Sequence, residues 1–168
     1  PIINKFVEDR RHQAMILTPT RELAQQVEEE FKSFTHGMRL YSVAAVGGLP
    51  ITRQIREIDQ GVHIVIGTPG RVKDLIARRK LNMADFNTIV LDEADRMLDM
   101  GFIDDMREIL GAMPAEKHGM FFSATFSGPI KALCSDFLRD PVTISLKTRD
   151  TSASVDQDVV RVPRGTEK

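Results

Sequence analysis

Short apolar runs alternate with amphipathic stretches along most of this chain. The runs Ala14–Leu17, Ser42–Val46, Ile64–Ile66, Thr88–Leu91, Met120–Phe122 and Val142–Ser145 have strand length and turn residues nearby. Between them, Arg21–Phe34, Ile51–Asp59, Gly70–Arg78, Ile103–Met113 and Gly128–Phe137 carry helical patterns. In the first of these, Leu23, Val27 and Phe31 recur at near-helical spacing, with Glu28, Glu29 and Glu30 mostly toward solvent. Strands alternating with helices predict parallel pairing through right-handed crossovers, hence an α/β layered sheet. From about Lys147 the composition shifts to Thr, Ser and Asp and the alternation stops. Residues 147–168 therefore read as a linker, with Val159–Val162 opening a strand of something further on.

Composition narrows the class. A chain of 168 residues with 42% hydrophobic content can bury one sizeable core. Its net charge of −1 gives no bulk basic signature, so phosphate recognition must come from a few placed groups. The lone cysteine, Cys134, excludes an intramolecular disulfide and fits a reducing interior. No stretch approaches a membrane span and no signal-peptide run opens the chain, so a cytoplasmic, membrane-free protein is expected. His12, His36, His63 and His118 lack metal-ligand spacing.

The chemistry gathers where strands hand over to helices, the edge at which open parallel sheets bind ligands. After the first strand comes Thr18-Pro19-Thr20-Arg21-Glu22, with Thr20 as an N-cap and Arg21 suited to phosphate. Gly47-Gly48 follows the second strand and permits close backbone approach before Pro50 opens a helix. Thr68-Pro69-Gly70-Arg71 follows the third, again with a capping hydroxyl, a first-turn proline and an arginine. Taken singly, each is ordinary loop chemistry or a solvated charge. Together they could hold a phosphate backbone without reading bases.

The fourth strand delivers Asp92-Glu93-Ala94-Asp95 into what reads as a tight turn. Adjacent strand-end carboxylates of this kind hold Mg²⁺ and orient a water in phosphate-transfer enzymes. Side by side they repel, so a cation or a proton is expected between them.

In this order the motifs resemble those of the first, RecA-like motor domain of DEAD-box RNA helicases. Pro19-Thr20-Arg21-Glu22-Leu23-Ala24 is similar to motif Ia, Gly47-Gly48 to the paired-glycine motif, and Thr68-Pro69-Gly70-Arg71 to motif Ib. Asp92-Glu93-Ala94-Asp95 is similar to motif II and Ser123-Ala124-Thr125 to motif III. The resemblance implies a three-layer RecA-like fold, a parallel sheet flanked by helices, across residues 1–146.

It also implies roles. Asp92 would hold Mg²⁺ through water, and Glu93 would orient and deprotonate the water attacking the γ-phosphate of ATP. Asp95 would bond the hydroxyls of Ser123 and Thr125 and pass the nucleotide state to the RNA-gripping surface. Pro19, Thr20, Arg21, Gly47, Gly48, Thr68, Pro69, Gly70 and Arg71 would line the path of the RNA sugar-phosphate backbone. ATP and RNA would then close this domain on a second RecA-like domain and pry a short duplex apart.

Departures from the family pattern set the remaining expectations. The chain has no Gly-Lys pair, so the phosphate-binding loop is not found in it, nor is the glutamine motif that reads adenine. Pro1-Ile2-Ile3 resembles the helix that follows the phosphate loop, so the fold is expected to be incomplete at its N-terminus and the chain alone inactive. In the family the strand before that loop lies beside the one ending at Ser123. A nucleotide-independent module binding RNA or a protein partner is the alternative, and a DNA-acting relative is a weaker third.

Overall fold

A strand covered on both faces needs apolar residues on both, which is why these strands read as continuous apolar runs rather than as alternation. The computed structural model describes residues 1–146. Within them five strands form one parallel sheet in the order β2-β3-β1-β4-β5. The strands are β1 (Ala14–Leu17), β2 (Ser42–Ala45), β3 (Ile64–Gly67), β4 (Thr88–Leu91) and β5 (His118–Phe121). The helices are α1 (Ile2–Glu8), α2 (Arg21–Phe34), α3 (Ile51–Asp59), α4 (Pro69–Ala77), α5 (Ala94–Asp99), α6 (Ile103–Gly111) and α7 (Gly128–Phe137).

Strands β1 and β3 divide their side chains between two cores. Met15 and Leu17 of β1 join Val43, Val65, Ile89 and Leu91 on one face, packed against Val72, Leu75, Met97, Met106, Ile109 and Leu133. Ala14 and Ile16 point the other way with Ile64 and Ile66, against Phe6 of α1 and Ala24 and Phe31 of α2. The result is three layers, with the sheet in the middle, as the resemblance implied.

Register decides where the loops meet. Leu17 lies opposite both Gly67 and Leu91, Ala45 opposite Gly67, and Phe121 opposite Leu91. The last residues of all five strands therefore form one row, and the five loops that follow leave from one edge. Gly67 closes β3 because a Cβ there would run into the Ala45 carbonyl and side chain.

Several boundaries differ from the sequence reading, and two elements differ in kind. The motif Asp92-Glu93-Ala94-Asp95 does not end in a simple turn; Glu93 takes a left-handed conformation (φ 50°, ψ 50°) and α5 begins at once. Six residues are too few for a periodic pattern to register. The expected strand at Val142–Ser145 does not form: Val142 and Ile144 are 87% and 81% exposed. Apolar alternation makes a strand only where a neighbour supplies hydrogen bonds, and no strand lies beside this segment among the described residues. β5 starts two residues earlier than expected and pairs on one side only, with β4. The expected linker and further strand at 147–168 fall outside the described residues.

Candidate functional site

The sheet order sorts the five loops into two groups. Gly47-Gly48 leaves β2, Thr68–Arg71 leaves β3 and Thr18–Arg21 leaves β1, side by side. Asp92–Asp95 leaves β4 and Ser123–Thr125 leaves β5, on the other side of β1.

The first group is knit together by backbone. The Thr18 amide donates to Gly67 O at 2.9 Å and the Thr68 amide to Ala45 O at 3.1 Å, which carries the ladder one step past the strands. Thr18 is fully buried, and its hydroxyl donates to Thr20 O at 3.1 Å, shaping the turn through buried Pro19. Thr20 caps α2 as expected, its hydroxyl accepting from the Leu23 amide at 3.3 Å. Thr68 and Pro50 occupy the corresponding positions at α4 and α3 but make no side-chain cap. The expected capping hydroxyl at Thr68 is thus corrected: with Pro69 at the first helical position one orphan amide is already gone.

Gly47 and Gly48 are exposed, and Gly48 has a φ of +76°. A Cβ at Gly48 would stand 3.0 Å from Arg21 Nη1, so the guanidinium packs directly on bare backbone. Arg21 also holds Glu22 through Nε and Nη2 at 3.1 and 3.0 Å, both side chains solvated. Arg71 Nη1 reaches the same loop. It donates to Leu49 O at 3.2 Å and to Gln54 Oε1 at 3.0 Å. Gln54 in turn donates to Val46 O at 3.0 Å from a buried position. Gln54 was not among the sequence candidates, although it stands in the apolar stripe Ile51, Gln54, Ile55, Ile58 of α3, where a polar residue signals a buried partner.

The second group centres on acids. The Asp92 amide donates to Leu17 O at 2.9 Å, which fixes the turn to β1. Burial pushes the Asp92 carboxyl above its ordinary range; the Glu93 amide, donating to Oδ1 at 3.1 Å, pulls it back, and the Glu93 charge adds to the rise. The left-handed backbone of Glu93 costs about 1–2 kcal/mol in a non-glycine residue, a strain typical of sites where chemistry dictates direction. Its Oε2 accepts from Arg96 Nη1 at 3.1 Å.

Asp95 ties this group to β5. Its Oδ2 accepts from the Thr125 amide at 2.9 Å and the Thr125 hydroxyl at 3.1 Å, and its Oδ1 from the Arg96 amide at 3.1 Å. Partial burial pushes this carboxyl up, but these donors outweigh it and hold it below the ordinary range. The Ser123 hydroxyl donates to Thr125 O at 2.7 Å, so it braces the loop. The expected link from Asp95 to Thr125 is present at hydrogen-bond distance, and the Ser123 hydroxyl alongside also helps hold the Asp95 carboxyl down. Backbone completes the junction, with the Ala94 amide donating to Phe122 O at 2.9 Å.

No group of three metal-ligating side chains occurs among the described residues. A nucleotide-bound Mg²⁺ needs one or two carboxylates, with waters and phosphate oxygens completing its shell. Asp92, half-buried beside a second carboxylate, fits such a role. No helix of the described residues is long and apolar enough to cross a membrane.

Comparison with known proteins agrees with this geometry. The model of the DEAD/DEAH box helicase family matches residues 1–133. The RNA helicase CrhR of Synechocystis sp. is 48% identical over 169 aligned residues, covering all of this chain and 34% of CrhR. Among solved structures, a hypothetical ATP-dependent RNA helicase from Sulfolobus tokodaii superposes with a TM-score of 0.74 at 33% identity, covering 79% of this chain and 40% of that one. A DEAD box protein from Methanococcus jannaschii gives 0.73 at 43% identity, with coverage of 77% and 35%. The chain thus spans about a third of the length of the curated relative that it matches. By its motifs, its sheet and these matches, the chain belongs to the DEAD/DEAH box helicase family.

Proposed function

We propose that this chain is the hydrolytic and RNA-gripping part of the first motor domain of an ATP-dependent RNA helicase. In this reading residues 1–146 belong to that domain and 147–168 lead toward a second RecA-like domain. The observation that carries it is the shared sheet edge, where Asp92 and Glu93 are linked through Asp95 and Thr125 to one loop and lie across β1 from the glycine and arginine loops.

Glu93 orients the water and accepts its proton; its left-handed backbone is the strained point from which the following helix starts. Asp92 would hold Mg²⁺ through water, and the ion would supply charge neutralisation on the phosphates. Asp95 reports on that event through Thr125 to the loop after β5. Thr20, Arg21, Gly47, Gly48, Thr68, Gly70 and Arg71 face the sugar-phosphate backbone, with Pro19 and Pro69 fixing the turns. Contacts of this kind tolerate many sequences, and 2′-hydroxyl contacts would separate RNA from DNA. The lone cysteine supports a cytoplasmic place of work.

The test is RNA-stimulated ATP hydrolysis by the protein of the whole reading frame, beside its Glu93→Gln variant. Turnover that needs RNA and vanishes with the substitution supports the reading. RNA-independent or absent turnover would sink it.

A further inference from the structure

Gln54 is one of four buried polar residues of the described part, with Thr18, Thr35 and Thr88, and is 3% exposed. Its amide is used at both ends: Nε2 donates to Val46 O at 3.0 Å, and Oε1 accepts from Arg71 Nη1 at 3.0 Å. The same Nη1 donates to Leu49 O at 3.2 Å. Val46 and Leu49 bracket Gly47-Gly48, so Gln54 and Arg71 clasp the loop at its two ends.

No other side chain of this length satisfies both partners. A carbonyl requires a donor and a guanidinium requires an acceptor, and a side-chain amide offers both on separate atoms. A carboxylate would set oxygen against the Val46 carbonyl, and an alkyl chain would strand that carbonyl in a buried place. Arg71 Nη2 and Nε make no hydrogen bond among the described residues, so the guanidinium is anchored by one nitrogen with the others left for a ligand. An arginine held this way has already surrendered the rotamer freedom that binding would otherwise cost.

We propose that Gln54 is the positioning residue that locks Arg71 and the Gly47-Gly48 loop into one rigid grip for a phosphate backbone. Gln54 does not touch that backbone; it acts through Arg71. The proposal rests on the reading of this surface as RNA-binding.

A double-mutant cycle tests it, with a short fluorescent oligouridylate as probe and the protein of the whole reading frame. Gln54→Leu is expected to weaken binding about tenfold, as the loss of one charge-assisted bond would. It should also lower the dependence of affinity on salt, as Arg71→Ala should, because a misplaced guanidinium no longer displaces a counterion. The variant carrying both changes should bind no more weakly than Arg71→Ala alone. Losses that multiply, or an unaltered salt dependence in Gln54→Leu, would overturn the proposal. If Gln54→Leu fails to fold, the Gln54 side-chain amide resonance of the unmodified protein decides: it should shift on saturation with the probe, and an unmoved resonance overturns the role. Failure of the unmodified protein to bind the probe would instead bring down the RNA-binding reading beneath it.

Discussion

Asp95 Oδ2 accepts two hydrogen bonds from Thr125, one from the amide at 2.9 Å and one from the hydroxyl at 3.1 Å, across 30 residues of chain. This side-chain link joins the loops after β4 and β5, so what displaces one loop pulls on the other. Thr125→Val removes the hydroxyl and leaves the amide. It should lower stability by about 1 kcal/mol and reduce duplex unwinding more than ATP hydrolysis. Parallel assays of the two activities check this, and equal losses would refute coupling through the bond.

The same pair makes a prediction in pH. The folded-state Asp95 carboxyl is held below its ordinary range, so its contribution is present above the unfolded value and is lost as pH falls through the folded one. The stability gap between wild type and Thr125→Val should therefore be greatest near neutrality and close in acid. Urea midpoints measured from neutral to acid pH would show it; a constant gap would mean that the carboxylate is not the acceptor that matters.

At Asp92 the sign reverses. Burial raises this carboxyl, so the folded state favours the proton, and the charge present at neutral pH costs stability. Asp92→Asn should stabilise the fold slightly, by about half a kcal/mol given its solvent access, while ATP turnover collapses. Thermal melts without nucleotide provide the readout, and a lower midpoint would count against the argument.

Glu93→Gln preserves shape and removes the proposed base. ATP hydrolysis should fall at least about a hundredfold with nucleotide affinity nearly unchanged. Single-turnover hydrolysis and equilibrium binding separate the two, and a loss confined to binding would assign Glu93 a different role.

Glycines of the loops proposed to face RNA should not respond alike. Gly48→Ala faces a φ of +76° and the Arg21 guanidinium at 3.0 Å, so it should cost about 1–2 kcal/mol and weaken RNA binding. Gly70 has open space where a Cβ would go and needs no special backbone. Gly70→Ala should leave stability unchanged, so any loss of affinity there reports crowding against RNA itself. Denaturation and anisotropy titrations of both variants distinguish these cases.

The limits of the sequence are visible at particular residues. Strand β1 and helices α2, α3 and α7 fall where their patterns put them, because apolar period and length are local properties. Helix α5 was hidden by its shortness, and Val142–Ser145 failed as a strand because strand formation needs a neighbour. Gln54 was legible in principle, as a polar residue inside an apolar stripe. Its partners Val46 and Arg71 were not, since 8 and 17 residues separate it from them along the chain.

Sequence alone determined the alternating α/β class, the motif residues and the resemblance they carry, all of which are written in local spacing. Tertiary structure decided who stands beside whom. In the chain the loops run Thr18–Arg21, Gly47-Gly48, Thr68–Arg71, Asp92–Asp95 and Ser123–Thr125; in space, Thr18–Arg21 moves to the centre, between the glycine and arginine loops and the acids. That rearrangement comes from crossovers that carry β2 and β3 to one side of β1 and β4 and β5 to the other. A parallel sheet needs long connections, and its strand order is set by how helices pack over it rather than by any stretch of sequence.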